Sequence, residues 1–466
     1  MTFDLIIGNG RIVDATGERA GDIAVTAGRI AAVGPGLRSG AAAPTEIDAA
    51  GRYVMPGGVD SHVHLGQLSS KGDMTADDFW TGSRSAAFGG TTTVVPFAAQ
   101  HRGMSITEVV DDAMERAAAA MTVDYGMHLI ITDWQDPAPA EFAAAAGAGL
   151  AAVKIYLTYD RLKVPGSRAI ELMQAARAAG VPVMVHAEDD AIVGWGRDER
   201  VAAGLLGADS HAYSHSRGAE WSGVAQAIAL AEAASASLYL AHISTPQAID
   251  LVLAARQRGV DVVAETCPHY LLLDESAYLD PIEKAAPFMC SPPLRGPAER
   301  AGLIAQLESG DIDIVSSDHS PYTMNQKLPA AAATTFTAVA NGLPGIELRL
   351  SLLYTAAVAE GPLTMGDFVR LVATNPAKTC GVYPRKGSLE VGADADIVVW
   401  DEAVWTVGEA DLHDNVGYTP YEGMQLRGKP AIVVSGGEVI VGPETDGTRR
   451  GRGTLVTRAR DAPWVR

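Results

Sequence analysis

Three cysteines in 466 residues (Cys267, Cys290 and Cys380) are too few and too scattered for a disulfide framework, and no CxxC is present. A reducing, cytoplasmic setting is the expectation. Positive charge is also scarce. Against 56 acidic residues stand 36 basic ones, a formal charge of −20. That argues against nucleic acid or anionic membrane as a partner, since both are held by basic patches. Long apolar runs are missing too. The opening "MTFDLIIGNGRIVD" has no basic leader and only "LIIG" as an apolar run, so neither a signal peptide nor a membrane span is expected. No GxGxxG or P-loop is found, which weakens a doubly wound nucleotide-binding sheet.

What the sequence does contain is a long, regular alternation. Apolar strand-like stretches lie at 57–65, 91–97, 123–132, 150–157, 181–188, 236–244, 260–270 and 312–320, with Ala-rich helical segments between them. In "TADDFWTGSRSAAFGG", Thr75 followed by Asp78 reads as an N-cap. In "TPQAIDLVLAARQRG", Pro246 suits a first helical turn. Eight such units predict a (β/α)8 TIM-like barrel, with the open doubly wound sheet as runner-up. The two ends of the chain share another texture, short strands with Gly and Asn turns: "DLIIGNGRIVD" and "DIAVTAGRIAAVG" early, "GSLEVGADADIVVWD" and "PAIVVSGGEVIVG" late. The expected organisation is a small β-sandwich domain split into 1–55 and 379–445, a catalytic barrel at 56–378 inserted between them, and a tail at 446–466. The tail is locally basic, and either clasps a neighbouring subunit's acidic surface or is mobile.

A barrel demands that functional groups gather at the C-terminal ends of its strands. His62 and His64 end the first strand, Lys154 lies on the fourth, His186 ends the fifth, His242 the sixth and Asp318 the eighth. Singly, a histidine is more often a satisfied core residue than a ligand, and a strand lysine can simply point outward or snorkel. Together, four of eleven histidines fall at one structural level, and the HxH spacing puts both rings on one strand face. Imidazole and carboxylate ligands favour Zn²⁺, with Mn²⁺, Co²⁺ or Fe²⁺ as substitutes. Five such groups exceed one tetrahedral site and suit two ions about 3.5–4 Å apart. Two dications need an anionic bridge, and the fourth strand offers Lys154 rather than a carboxylate. A neutral lysine amine takes up CO₂ to give a bidentate carbamate, so Lys154 is expected to be an N6-carboxylysine bridging the metals.

The segments "VDSHVHL", "KIYLTYD", "VMVHAED", "AHISTPQAID", "ETCPHYL", "CSPPLR", "SSDHSP" and "NGLPGIE" resemble, in order and over nearly the whole chain, the hydantoinase/dihydropyrimidinase family of cyclic amidohydrolases. The resemblance implies the barrel, the split β-domain and a binuclear zinc centre, commonly in a homotetramer or homodimer. It implies that His62 and His64 with Asp318 hold the more buried ion, that His186 and His242 hold the more exposed one, and that Lys154 bridges them. A hydroxide between the ions would attack a small cyclic amide or ureide, with Asp318 moving the proton. Tyr159 matches the tyrosine that donates to the oxyanion. Ser291 and Asn341 match the positions that hold the cyclic amide, largely through backbone groups. Cys290 is expected to be a small buried residue and His269 structural.

The expected activity is ring opening of 5-substituted hydantoins to N-carbamoyl amino acids, as in D-hydantoinase and phenylhydantoinase-like members, which "FAAQHRG" at 97–103 also resembles. Dihydropyrimidinase and cyclic imidase stay open, and a family scaffold without catalysis is a remote alternative that the complete ligand set disfavours. Tyr159 argues against allantoinase and dihydroorotase. The loops at 65–72 and 156–164 are expected to line the entrance, with Leu65, Leu68, Tyr156 and Leu157 as an apolar gate. The Ala-rich stretch "MNQKLPAAAATTFTAVANG" departs from the family pattern near Asn341.

Overall fold

Strands covered by helices on one face and by one another on the other read as continuous apolar runs, and such runs make the inner ring of the protein. The computed structural model describes residues 2–40, 42–69, 72–329, 335–459, 462, 464 and 465. Residues 70 and 71 of the entrance loop, 330–334 of the Ala-rich stretch, and 460, 461, 463 and 466 of the tail lie outside the described residues.

Five strands come first: β1 (Leu5–Asp14), β2 (Gly17–Thr26), β3 (Arg29–Gly34), β4 (Thr45–Asp48) and β5 (Tyr53–Pro56). The ring follows as β6 (Gly58–Val63), β7 (Thr91–Ala99), β8 (Asp124–Tyr125) with β9 (His128–Ile130), β10 (Val153–Tyr156), β11 (Val183–His186), β12 (Leu238–Leu240), β13 (Val262–Thr266) and β14 (Ile314–Val315). All neighbours in it are parallel. A parallel bridge between Val63 and His319 brings the last position back to the first, and the His64 N–H donates to the His319 carbonyl at 2.8 Å. The barrel is thereby closed. Its eight positions coincide with the eight apolar stretches of the sequence.

The helices cover the ring as the Ala-rich spacing predicts, with one correction. Thr75 does not cap the helix at Phe79–Phe88. Asp78 does, accepting from the Trp80 and Thr81 N–H groups, while Thr81 answers the Asp78 N–H. Aspartate directly before the first apolar turn outcompetes a threonine three residues earlier, which instead bonds within the loop to the Asp77 carbonyl. Thr245 and Pro246 open the helix at Pro246–Gln257 as expected.

The chain ends return in β15 (Ile397–Thr406), β16 (Gln425–Ser435), β17 (Glu438–Gly442) and β18 (Thr445–Asp446). They join the first strands in one hydrogen-bonded sheet of order β18-β17-β16-β15-β5-β1-β2-β3, with β4 beside β1. The seam is the antiparallel pair β5–β15, where Val54 faces Val399. Leu5, Ile7, Ile23, Val54, Ile397 and Val399 share its core.

The tail, 446–466, returns to the barrel. Its described residues are fixed to their own chain along the N-terminal rim of the barrel. The Tyr125 N–H donates to Thr454 at 3.0 Å, Val456 N–H to Tyr125 at 2.7 Å and Arg458 N–H to Gly149 at 3.1 Å. Arg449 and Arg452 meet Glu438 at 2.6 and 3.0 Å. Arg449 and Arg452 therefore pair within the subunit. Among the described residues no helix is long and apolar enough to cross a membrane.

Candidate metal centre

The six groups singled out in the sequence meet at one mouth of the barrel. Asp318 Oδ1 lies 3.2 Å from His62 Nε2 and 3.3 Å from His64 Nε2. These three atoms form a cluster compact enough for one ion. His186 Nδ1 and His242 Nε2 are 3.0 Å apart, close to the roughly 3.3 Å between two nitrogens on a tetrahedral ion with bonds near 2.0–2.1 Å. The His62 and His242 rings are 5.5 Å apart, centroid to centroid. Lys154 reaches in between, its Nζ 2.6 Å from His62 Nε2.

In three of the four rings the other nitrogen faces an oxygen, while His242 Nδ1 is buried without a hydrogen-bond partner among the described residues. His62 Nδ1 faces Glu265 Oε1 at 2.8 Å, His64 Nδ1 faces Gln67 Oε1 at 2.8 Å, and His186 Nε2 faces Glu188 Oε2 at 2.8 Å. These partners only accept, so the protons belong on those nitrogens and the lone pairs on the nitrogens that converge. This is how proteins orient metal-binding imidazoles. The donor set fits a pair of divalent cations.

Burial keeps His64, His186 and His242 in their ligating form. It pushes His64 down to about 4, with Asp318 opposing, and holds His242 well below its ordinary value. Burial raises Asp318, but His62, His64 and His242 outweigh that and leave it well below the usual carboxylate range. Lys154, 1% exposed, is pushed down to about 8 by burial, with Asp318 and Glu265 opposing. A visible fraction of its amine is therefore neutral near pH 7.

A cavity of about 390 Å³ opens onto these groups and is also lined by Tyr159, Ser291 and Asn341. Burial and the Glu188 carboxylate push the Tyr159 hydroxyl well above 10, against the smaller effect of neighbouring Ser291 and Asn341. It remains a hydrogen-bond donor. Ser291 Oγ and Asn341 Oδ1 are buried without hydrogen-bond partners among the described residues. Buried polar atoms are normally satisfied, so both are open toward a ligand. Tyr159, His242 and Asp318 adopt φ of 73°, 38° and 45°. That left-handed backbone is costly for non-glycine residues and concentrates at functional sites.

Two of the four residues expected to form the gate do not line the cavity. Leu68 and Tyr156 do, whereas Leu65 and Leu157 are buried in the main core. Alternation explains the difference. Leu157 follows Tyr156 and Leu65 follows His64, so each points to the opposite face. Leu162, Val193, Phe336 and Val339 supply apolar wall instead. Cys290 is buried, donates to the Pro292 carbonyl and is pushed up to about 12 by burial, as suits a packing residue. His269 is buried against Tyr270. Glu188 and Glu265 escaped the sequence reading. Glu188 lies two residues beyond His186, hence on the same face, and Glu265 is a lone carboxylate inside an apolar strand.

Residues 53–440 match the model of the amidohydrolase family. The chain is 37% identical to a D-hydantoinase of Ralstonia pickettii over 455 residues, covering 96% of this chain and 98% of that one. A D-hydantoinase structure from a Bacillus species superposes with a TM-score of 0.94 at 34% identity, covering 98% and 99% of the two chains. A dihydropyrimidinase structure from Brevibacillus agri gives 0.94 at 33%, covering 99% of each. Likeness of this extent, together with the fold and the converging donors, leaves one conclusion: the chain belongs to the amidohydrolase family, in its hydantoinase/dihydropyrimidinase branch.

Proposed function

We propose that the protein hydrolyses 5-substituted hydantoins to N-carbamoyl amino acids, with two Zn²⁺ ions held by His62, His64, His186, His242, Asp318 and a carboxylated Lys154. The observation that carries the reading is Lys154, a buried amine at about 8 whose Nζ lies 2.6 Å from the open nitrogen of His62. A neutral amine beside open imidazoles is poised to add CO₂: the N–C bond forms, a proton leaves, and an anion with two ligand oxygens results. When bound, the ions would supply Lewis-acid polarisation of the amide carbonyl and a more acidic water.

The chain's own residues do the rest. Asp318 takes the proton of the attacking water and returns it to the ring nitrogen as the C–N bond breaks. Tyr159, kept protonated by burial, donates to the developing oxyanion. Ser291 and Asn341 hold the cyclic amide beside it. The wall formed by Tyr156, Leu162, Phe336 and Val339 favours an apolar 5-substituent. Dihydropyrimidinase activity is the second reading, favoured by the likeness to the Brevibacillus agri enzyme. The scarcity of cysteine supports a cytoplasmic setting, and the family resemblance supports a homotetramer or homodimer.

The test is ring opening of racemic 5-phenylhydantoin and, separately, dihydrouracil by zinc-loaded protein, with chiral analysis of the product. Faster opening of the aryl hydantoin, to the D-carbamoyl acid, is expected. Preference for dihydrouracil overturns the substrate reading and keeps the chemistry. No turnover of either with two ions bound redirects the search to imides, and no turnover without bound metal removes the enzymatic reading.

A further inference from the structure

Lys327 is a fully buried lysine that the metal chemistry does not use. It ends a short helical turn, Met324–Lys327, capped by Thr323, whose hydroxyl accepts from the Gln326 N–H. Its ammonium donates to three backbone carbonyls, Met289 at 2.8 Å, Ala340 at 3.0 Å and Gly342 at 2.5 Å. Its own carbonyl accepts from the Ala340 N–H at 2.8 Å. Burying an ammonium is expensive unless its donors are satisfied, and here they are spent on two loops. Those loops carry Ser291 and Asn341.

In a trans peptide the C=O and the following N–H point in opposite directions. With the Ala340 carbonyl turned to Lys327, the Asn341 N–H is aimed away from it. The Gly342 N–H donates to Met289 O at 3.0 Å, so the Asn341 carbonyl points away from Met289. Both peptide planes around Asn341 are thus fixed, one by Lys327 directly and one through a carbonyl that Lys327 also holds. On the other loop, His211 Nε2 takes the Cys290 carbonyl at 2.7 Å, which fixes the Ser291 N–H. A cyclic amide gripped by backbone groups depends on those orientations.

We propose that Lys327 is a positioning residue for the substrate's cyclic amide, setting the backbone of Ser291 and Asn341 by clamping their loops together through Met289, Ala340 and Gly342. The inference rests on the hydantoinase reading given above. It differs from a purely structural role in its kinetic signature: the loss should fall on substrate binding and leave the metals and the chemical step in place.

Steady-state opening of 5-phenylhydantoin and bound zinc are measured for the wild-type holoenzyme and for K327M, K327R and T323A. K327M is expected to raise KM about tenfold or more while kcat stays within about threefold and zinc content is unchanged. K327R should recover part of the loss, and T323A, which removes only the cap, should shift KM the same way by less. A folded K327M with unchanged KM, or a loss confined to kcat, overturns the assignment. If K327M does not fold, T323A decides alone, a raised KM supporting the clamp and an unchanged KM refuting it. If wild-type enzyme opens no ring, the hydantoinase reading fails, and the clamp is judged by amide exchange at Gly342. Faster exchange in T323A or K327M then supports it, and unchanged protection overturns it.

Discussion

Replacing Glu265 by glutamine tests the metal centre without touching a ligand. Glu265 is fully buried and accepts three hydrogen bonds, from His62 Nδ1 at 2.8 Å, from the His242 N–H at 2.9 Å and from the Tyr239 hydroxyl. Burial raises its pKa, but these partners outweigh that and keep it ionised. Glutamine is the same size. Its carbonyl oxygen can serve both donors now on Oε1, and its amide faces Tyr239, whose oxygen then accepts. Geometry survives and the charge is lost. A histidine deprived of its carboxylate partner is a poorer base, and such changes cost about 10–100-fold in metal affinity, or roughly 1.4–2.7 kcal/mol. Of the ligating rings Glu265 faces that of His62, whereas His186 has Glu188, so the weakening should concern the ion at His62, His64 and Asp318. Competition with a zinc chelator should release one equivalent from E265Q at a concentration that leaves both in the wild type. E188Q, acting on His186, should loosen the other. Simultaneous loss of both ions from E265Q, or an unchanged release curve, would refute the reasoning.

Tyr159→Phe is expected to lower kcat about 10²–10³-fold with zinc content and KM little changed, and a loss below threefold in kinetics on 5-phenylhydantoin removes the oxyanion role. Lys154→Ala should abolish activity and lower zinc content, and added propionate should restore part of the rate by supplying a two-oxygen anion in the vacated space. Intact-protein mass spectrometry of the wild type should carry the increment of one CO₂, lost on acidification, and its absence in active enzyme counts against the carbamate. The metal-free chain should lose stability in mild acid. Burial pushes His128 and His211 down to about 3 and His269 to about 4, against 6.5 when unfolded. The unfolded chain therefore takes up protons first, so this stability is complete above pH 6.5 and lost as the pH falls toward 4. At pH 5.5 each group contributes on the order of 1 kcal/mol less, a few kcal/mol together. Urea unfolding at pH 7.5 and 5.5 reads the difference, and equal midpoints contradict it.

How much of this could be read from the sequence follows a physical line. Strand positions were legible because strands buried on both faces are continuous apolar runs, and the ligands because a closed barrel makes strand ends converge. Finer placement depended on parity. His62 and His64 share a face by the period of two, and the same rule sends Leu65 and Leu157 into the core, where an expectation drawn from loop position alone had put them at the entrance. Groups that act through others were hardest to see. Lys327 in "MNQKLP" looks like any surface lysine, and only the fold reveals that three carbonyls close around it. The left-handed backbone at Tyr159, His242 and Asp318 leaves no trace in residue type, since no glycine marks it.

The seam between β5 and β15 also sets a timetable. Val54 waits for Val399, some 345 positions later, and at about 5–20 residues per second a ribosome needs roughly 20–70 s to supply it. Through that interval β5 is without its β15 neighbour, while the barrel strands emerge beside it. Edges left open in this way are templates for wrong pairing. Production of this enzyme should therefore respond more to expression temperature and chaperone supply than its finished, closed barrel would suggest.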